Sequence, residues 1–291
     1  MVMSESRLIG RLTQYGLLIR LDKPIGSLLL LWPTLWALWI AGQGRPDALN
    51  VAVFLAGVFV MRSAGCVIND YADRDLDPHV ERTRGRPLAA GLIGPVEALV
   101  VFAVLCLCGL ALVLLLNRLT VMLAFIGVAL TAVYPFVKRY SHLPQFFLGV
   151  AFSWGIPMAY AAQTGHVPGL AWVLVLANLC WAVAYDTMYA MADREDDLKV
   201  GVKSTAILFG RYDRFSVGVF QAVTLAILAV IARSLNLNAY YYVGWVLALG
   251  LALYQQYLIR DRGRSESFKA FLNNAWFGGA IFTGLVLAYL D

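Results

Sequence analysis

Acidic side chains are concentrated in two short segments of this chain. One reads NDYADRDLD over residues 69–77, and the other reads DTMYAMADREDD over residues 186–197. Together with Glu81 they contain ten of the 18 acidic residues, although 60 % of all residues are hydrophobic and the mean hydropathy is +0.71. Carboxylates gathered in an apolar chain are destabilising through desolvation and mutual repulsion, so a function is the first interpretation. The chemistry that suits them is the binding of divalent cations, which in turn hold a phosphate group.

Helical periodicity places most of these acids on two faces. At 100° per residue, Asp70, Asp73 and Asp77 fall within an arc of about 60°, and Asp75 points away. In the second segment five side chains share an arc of about 100°. These are Asp186, Tyr189, Asp193, Asp196 and Asp197. Two such faces turned towards each other are expected to hold two or three Mg²⁺ ions and a diphosphate. The alternative interpretation is a solvated loop in which the acids pair with nearby arginines.

The elements that position these faces are predicted to be membrane helices. A spanning helix needs about 20 apolar residues. On that basis we predict an all-α polytopic bundle of nine transmembrane helices, forming one domain over residues 1–291. The spans are expected at 25–42, 51–68, 94–116, 119–137, 143–163, 169–190, 215–233, 239–258 and 269–290. Residues 1–24 are expected to be a cytoplasmic segment. They do not match a secretory signal, because the polar stretch is long and no small-residue cleavage site follows a short apolar core.

The distribution of Lys and Arg predicts the orientation. With the N-terminus in the cytoplasm, 20 of the 23 basic residues precede the first span or lie in the cytoplasmic connections. Both acidic segments then lie on the cytoplasmic side, since four spans separate them. The net charge of +5 is explained by anionic headgroups and a phosphorylated ligand, so no nucleic-acid partner is expected.

Several longer motifs carry a resemblance to a known family. NDYADRDLD is followed by ERTRGRPLAAG, and residues 185–210 read YDTMYAMADREDDLKVGVKSTAILFG. Residues 21–38 read LDKPIGSLLLLWPTLWAL, and residues 134–140 read YPFVKRY. The chain resembles the UbiA family of intramembrane aromatic prenyltransferases in these motifs, which extend over most of its length.

The resemblance implies a fold, a reaction and a set of site residues. It implies a nine-helix bundle in a bacterial inner membrane, with a cavity that opens laterally to lipid. It also implies Mg²⁺-dependent transfer of a polyprenyl group from polyprenyl diphosphate to 4-hydroxybenzoate, at the ring carbon ortho to the hydroxyl, in ubiquinone biosynthesis. Asn69, Asp70, Asp73 and Asp77 match the first metal–diphosphate motif, and Asp193 and Asp197 match the second.

Basic and aromatic side chains complete the expected site. Arg74, Lys199 and Lys203 are candidates for contact with the diphosphate, or else anchor the loops to headgroups. Tyr185 and Tyr189 either flank an allylic cation or belong to an interfacial tyrosine belt.

The acceptor carboxylate needs a cationic partner, and two arginines are candidates. Arg62 lies eight residues before Asp70 and so about 12 Å deeper along the same helix. An arginine at that depth requires a partner, which is either the acceptor carboxylate or a buried aspartate. Arg139 is the competing candidate for the acceptor, and its alternative role is ordinary cytoplasmic positive charge.

Other functional classes stay open at this stage. A divalent-cation transporter also uses intramembrane carboxylates, but such sites usually lie near the midplane on broken helices. A CDP-alcohol phosphotransferase is disfavoured because its D-G-x-x-A-R signature is absent from the sequence. Within the UbiA family, menaquinone-type and haem O-type transferases share the diphosphate motifs.

Overall fold

The structure is a computed structural model that describes residues 2–81, 83–137 and 140–290, and for residues 2–9 the backbone alone. Within these ranges the chain is helical and forms no strand. The helices are α1 Val2–Leu18, α2 Ile25–Ala41, α3 Ala48–Asp73, α4 Pro95–Val113, α5 Arg118–Val137, α6 Pro144–Ser153, α7 Gly155–Thr164, α8 Gly169–Val200, α9 Thr205–Phe209, α10 Asp213–Ser234, α11 Ala239–Leu258 and α12 Arg264–Leu290.

The prediction of a polytopic helical bundle is confirmed. In the described part of the chain, seven helices are long and apolar enough to cross a membrane, and the apolar α2 is shorter, with 17 residues. The expected span at 143–163 is wrong as one helix, because α6 ends at Ser153 and α7 begins at Gly155. Pro157 explains the break. It has no N–H to donate to the Ser153 carbonyl, and its ring crowds that oxygen.

The two helices that carry the acidic segments end in different ways. Helix α3 ends at Asp73, and a separate 3₁₀ turn begins at Asp77. The prediction that Asp77 continues the helical face is therefore wrong. Pro78 has no N–H to donate to the Arg74 carbonyl, so a regular α-helix cannot continue through this point. In contrast, α8 runs through the whole second segment to Val200. Gly201 then ends it in the left-handed conformation, with φ +72°.

A cluster of aromatic side chains joins α2, α8 and α12 below the acidic ends. The Trp181 ring lies 5.3 Å from the rings of Trp36 and Phe277, measured between centroids. The indole of Trp36 donates to the Gly278 carbonyl at 3.2 Å, and that of Trp181 donates to Asn274 Oδ1 at 2.9 Å. Buried indoles with satisfied N–H groups fix the relative positions of the three helices.

Helix α8 lies at the centre of the bundle. It packs against α6, α10 and α12, whereas α3 packs mainly against α4, and α2 packs against α7 and α12. The C-terminal ends of α3 and α8 are at the same end of the bundle, because Arg264 at the start of α12 reaches both acidic segments. This arrangement positions the site described next.

Candidate active site

The ends of α3 and α8 flank a common space. Tyr134 of α5 donates from its hydroxyl to Asn69 Oδ1 at 3.4 Å. The same side chain lies within electrostatic range of Asp73 on α3 and of Asp186 on α8. Arg264 connects the segments at their outer ends, 2.9 Å from Asp196 Oδ2 and 3.9 Å from Glu81 Oε2.

Two acidic side chains of the first segment are held by arginines. Asp70 is 1 % exposed and receives Arg20 Nη2 on both carboxylate oxygens at 2.7 Å. Arg86 Nη1 bridges Asp70 Oδ1 at 3.0 Å and Asp77 Oδ2 at 2.8 Å. The 3₁₀ turn therefore returns Asp77 to the neighbourhood of Asp70 although it has left the helix. The assignment of Asp70 and Asp77 as metal ligands stays a prediction.

Replacing Arg20 with methionine is expected to destabilise the protein by about 3 kcal/mol, because buried Asp70 loses one of its two cationic partners. The measurement is the thermal unfolding midpoint in detergent. Combining Arg20→Met with Asp70→Asn should restore most of the loss, since no uncompensated charge remains. Arg11→Met is the control, with little change expected in the unfolding midpoint because Arg11 is half exposed beside Glu97. A double variant as unstable as Arg20→Met would contradict the role given to this ion pair.

The remaining acids of the motifs are buried or half-buried near the ends of α3 and α8. Asp73 is buried, and Asn69 Nδ2 donates to its Oδ2 at 3.2 Å. On α8, Asp193 is buried and Asp197 is half-buried. Neighbouring Asp196 is engaged by Arg264 at 2.9 Å and by Lys199 at 3.3 Å.

The acids of the two motifs suit a Mg²⁺ ion that is also bound by the phosphate oxygens of a substrate. No group of three or more His, Cys, Asp or Glu side chains within the described ranges is close enough to hold a metal ion alone. Mg²⁺ does not require such a cage, because it commonly takes one or two carboxylates together with water and substrate phosphate oxygens. Asp73 beside Asn69 at the end of α3, and Asp193 with Asp197 on α8, would offer hard oxygen ligands of this kind.

Arg62 lies deeper on α3 and has no carboxylate partner among the described residues. Its Nη1 donates to Cys66 Sγ, and its buried Nε has no hydrogen-bond partner in the described part of the chain. Tyr134, Tyr185 and Tyr189 lie within electrostatic range of the guanidinium. Gly26 of α2 makes room for it, since a Cβ there would overlap the guanidinium. The alternative that Arg62 pairs with a buried aspartate is therefore not seen.

An aromatic wall lies where α8 meets α12. Tyr185 is 1 % exposed and packs at right angles to Trp181. The Tyr189 ring lies 4.9 Å from that of Phe271, measured between centroids, and 6.1 Å from that of Phe268. Tyr185 and Tyr189, both predicted as site residues, thus lie inside the bundle on the α8 face that meets α12.

The other predicted cations lie further out. Arg74 stacks on the Tyr71 ring and forms an ion pair with exposed Asp75 at 3.6 Å. Lys199 is exposed, and Lys203 donates to the Tyr140 carbonyl at 3.1 Å. Arg139 lies outside the described residues. Diphosphate contact by Arg74, Lys199 and Lys203 stays a prediction.

Three site residues were missed by the sequence analysis. Arg20 and Arg86 were counted only as positive charge, and Tyr134 only as part of the YPFVKRY motif. Nothing in the spacing links Arg20 to Asp70 across 50 residues, so only the fold reveals the pair. For Tyr134, its position just before Pro135 at the end of a span was an available but weak signal.

The fold and the site define a class of protein, and comparison with known proteins gives the family. The profile of the UbiA prenyltransferase family matches residues 30–278, so the chain belongs to that family and is an integral membrane enzyme. The 4-hydroxybenzoate octaprenyltransferase of Methylococcus capsulatus is 60 % identical over 281 residues, which are 97 % of this chain and 96 % of that protein. The protein of the same name from Alkalilimnicola ehrlichii is 56 % identical over 99 % of this chain and 98 % of its own.

Solved structures share the fold. A UbiA homologue from Aeropyrum pernix K1 superposes with a TM-score of 0.78 at 24 % identity, over 90 % of this chain and 97 % of that one. A UbiA homologue from Archaeoglobus fulgidus bound to GPP and Mg²⁺ gives a TM-score of 0.74 at 18 % identity, over 95 % of this chain and 99 % of that one.

Proposed function

We propose that this protein transfers a polyprenyl group from polyprenyl diphosphate to 4-hydroxybenzoate, at the ring carbon ortho to the hydroxyl, in ubiquinone biosynthesis. The observation that carries the proposal is the 60 % identity, over 97 % of the chain, to a 4-hydroxybenzoate octaprenyltransferase. The names of that protein and its relatives make octaprenyl diphosphate the first donor to test.

The donor diphosphate binds between the ends of α3 and α8. Asn69, Asp73, Asp193 and Asp197 would hold the Mg²⁺ ions that accompany it, with Asp70 and Asp77 alongside. Bound Mg²⁺ would neutralise the diphosphate and so favour its departure with the electron pair of the allylic C–O bond. The Archaeoglobus fulgidus homologue that shares this fold is bound to GPP and Mg²⁺, which supports Mg²⁺ as the metal to test here.

Cationic side chains of this chain add to the neutralisation. Arg20 and Arg86 already hold positive charge against Asp70, at the edge of the shared space. Arg74 directly after α3, Lys199 in the last turn of α8 and Lys203 beyond it are the further cations proposed to contact the diphosphate. Preorganised positive charge in a water-poor site stabilises a leaving group more than it does in water.

The acceptor, 4-hydroxybenzoate, binds deeper in the bundle than the diphosphate, and its carboxylate pairs with the Arg62 guanidinium. The guanidinium is buried and has a donor with no partner among the described residues, which is what a bidentate carboxylate would satisfy. Arg139 remains the competing candidate. The depth of Arg62 below Asn69 orients the acceptor ring so that its phenol end points towards the diphosphate.

The aromatic wall has two roles in this proposal. The faces of Tyr185 and Tyr189 stabilise the electron-poor allylic carbon before the ring carbon bonds to it and gives up its proton, so that diphosphate and H⁺ are the two species released. The packed rings also exclude water, which would otherwise compete with the acceptor. The polyprenyl tail extends into the bilayer, whose hydrocarbon solvates isoprene units.

The whole chain acts as one transmembrane domain in a bacterial inner membrane. The N-terminal segment and the acidic ends face the cytoplasm, because the basic residues cluster on that side. Both substrates then meet at one membrane surface, the donor from the lipid and the acid from the cytoplasm.

The direct test is a product assay with membranes that contain the full chain. Radiolabelled 4-hydroxybenzoate, octaprenyl diphosphate and Mg²⁺ should give a labelled product that partitions into organic solvent. Labelled 4-hydroxybenzoate that stays aqueous, while a menaquinone-type or haem O-type acceptor is prenylated instead, would assign the chain to another reaction of the family.

Removal of divalent cations is expected to abolish the reaction. EDTA should stop turnover, because the carboxylates of the two acidic ends would then repel the donor diphosphate. Excess Mg²⁺ should restore it, whereas excess Na⁺ at the same ionic strength should not. Undiminished turnover in EDTA would refute the metal assignment.

A further inference from the structure

A groove of about 620 Å³ lies between α10 and α11, and none of its lining residues belongs to the candidate active site. Its walls are apolar and include Phe215, Val219 and Leu253, all of them exposed. The groove exists because α10 packs mainly against α8, and α11 mainly against α12. Gly218 widens it, since a Cβ there would meet only the amide of Gln256, at 3.5 Å.

Three arginines line one end of this groove. Arg211 and Arg214 flank the beginning of α10, and Arg262 lies just after α11. All three are therefore on the same side of the membrane as the acidic ends of α3 and α8. The only carboxylate in contact with them within the described ranges is buried Asp213, which Arg262 Nε reaches at 2.8 Å. Asp213 also pairs with Arg194, so the cluster keeps a clear excess of positive charge.

The Arg214 side chain has no partner among the described residues. It is exposed and makes neither a hydrogen bond nor an ion pair with them. Arg211 is also exposed and donates only to the hydroxyl of its neighbour Tyr212, at 2.7 Å. Two guanidinium groups are therefore available to an anion at the mouth of an apolar groove.

The polar groups at the base of the groove are satisfied within the protein. Gln221 Nε2 donates to Gln255 Oε1 at 2.7 Å, and Gln256 Nε2 donates to Gln221 Oε1 at 3.0 Å. These amides close the groove towards the bundle interior. The occupant of the groove must then be apolar along its length and anionic only at the arginine end.

We propose that this groove is a binding site for one anionic phospholipid. The headgroup phosphate lies against Arg211, Arg214 and Arg262, and an acyl chain follows Phe215, Val219 and Leu253 into the membrane. An apolar groove open to the bilayer is filled by hydrocarbon, and a basic pocket between helices at the membrane surface selects an anionic headgroup.

Two other occupants fit less well. The prenyl donor would require a metal-binding carboxylate, and Asp213 is already engaged by Arg194 and Arg262. A second copy of the chain, related by a twofold axis, would bring the same arginine clusters of the two chains close together, which is repulsive.

The test uses the purified full chain in detergent with added phosphatidylglycerol or phosphatidylcholine, and native mass spectrometry to count bound lipid. The wild type should retain one phosphatidylglycerol in preference to phosphatidylcholine. In the variant Arg211→Gln/Arg214→Gln the affinity for phosphatidylglycerol should fall on the order of 10-fold. Arg260→Gln is the matched control, because Arg260 is on the same membrane side but does not line the groove and pairs with Asp261.

A second variant tests the groove separately from the charge. Gly218→Leu keeps all three arginines and fills the apolar channel, so it should also lose the retained lipid while keeping a wild-type circular dichroism spectrum. Equal retention of the two lipids by the wild type, or unchanged binding in Arg211→Gln/Arg214→Gln, would overturn the proposal. Displacement of phosphatidylglycerol by octaprenyl diphosphate would make the groove a donor site instead. A dimer that disappears in Gly218→Leu would make it a contact between copies.

Discussion

Replacing Asp73 with asparagine is expected to lower the rate of prenyl transfer on the order of 10³-fold, with folded protein still present in the membrane. Asp73 is buried at the end of α3 and is oriented by Asn69, so the amide keeps the shape of the side chain and removes only its charge. The measurement is kcat for labelled product formation at saturating substrates and Mg²⁺.

Matched controls separate the site from the general acidity of the segments. Asp75→Asn lies two residues away on the exposed side and should keep near wild-type activity. On α8, Asp193→Asn should behave like Asp73→Asn, while exposed Glu195→Gln should behave like Asp75→Asn. Full activity in Asp73→Asn or in Asp193→Asn would show that the substituted aspartate is not required for the reaction.

Replacing Arg62 with glutamine is expected to raise KM for 4-hydroxybenzoate about 100-fold, because a buried guanidinium–carboxylate pair is lost. KM for the prenyl diphosphate should change little, since Arg62 lies about two helical turns deeper than Asn69. The measurement is a steady-state analysis in which each substrate is varied at a saturating level of the other.

An uncharged acceptor provides the internal control for this prediction. 4-Hydroxybenzamide lacks the carboxylate, so Arg62→Gln should affect its KM much less than that of 4-hydroxybenzoate. If KM rises equally for the acid and the diphosphate, the acceptor carboxylate binds elsewhere, and Arg139→Gln becomes the variant to measure.

Apolar length and basic loops were sufficient to predict most of the bundle. The segment 239–258 was predicted with the bounds that α11 has, and α10 and α5 differ from prediction by two residues or fewer. These helices are defined by lipid-facing side chains, so local composition determines them. The break at Trp154 and the early end of α3 were not predicted, although Pro157 and Pro78 explain both.

The candidate site was predicted only in part, because its most important contacts join distant parts of the chain. The five residues that periodicity placed on one face of the second segment do not include Glu195, and Glu195 is exposed on α8, which remains helical throughout the segment. The same reasoning failed for Asp77, which reaches Asp70 through Arg86 and not along a helix. Arg20 and Tyr134 belong to other helices, and no local pattern identifies such partners.

The most direct test of the account is a double-mutant cycle on ligand binding. Isothermal titration would measure the affinity of inorganic diphosphate, in excess Mg²⁺, for the wild type, Asp73→Asn, Asp193→Asn and the double variant. If both helix ends hold one ligand, each single substitution should remove most of the binding free energy, and the double variant should lose little more than either single variant. Additive losses, or diphosphate binding that depends on only one of the two aspartates, would show that the two acidic ends do not share a ligand.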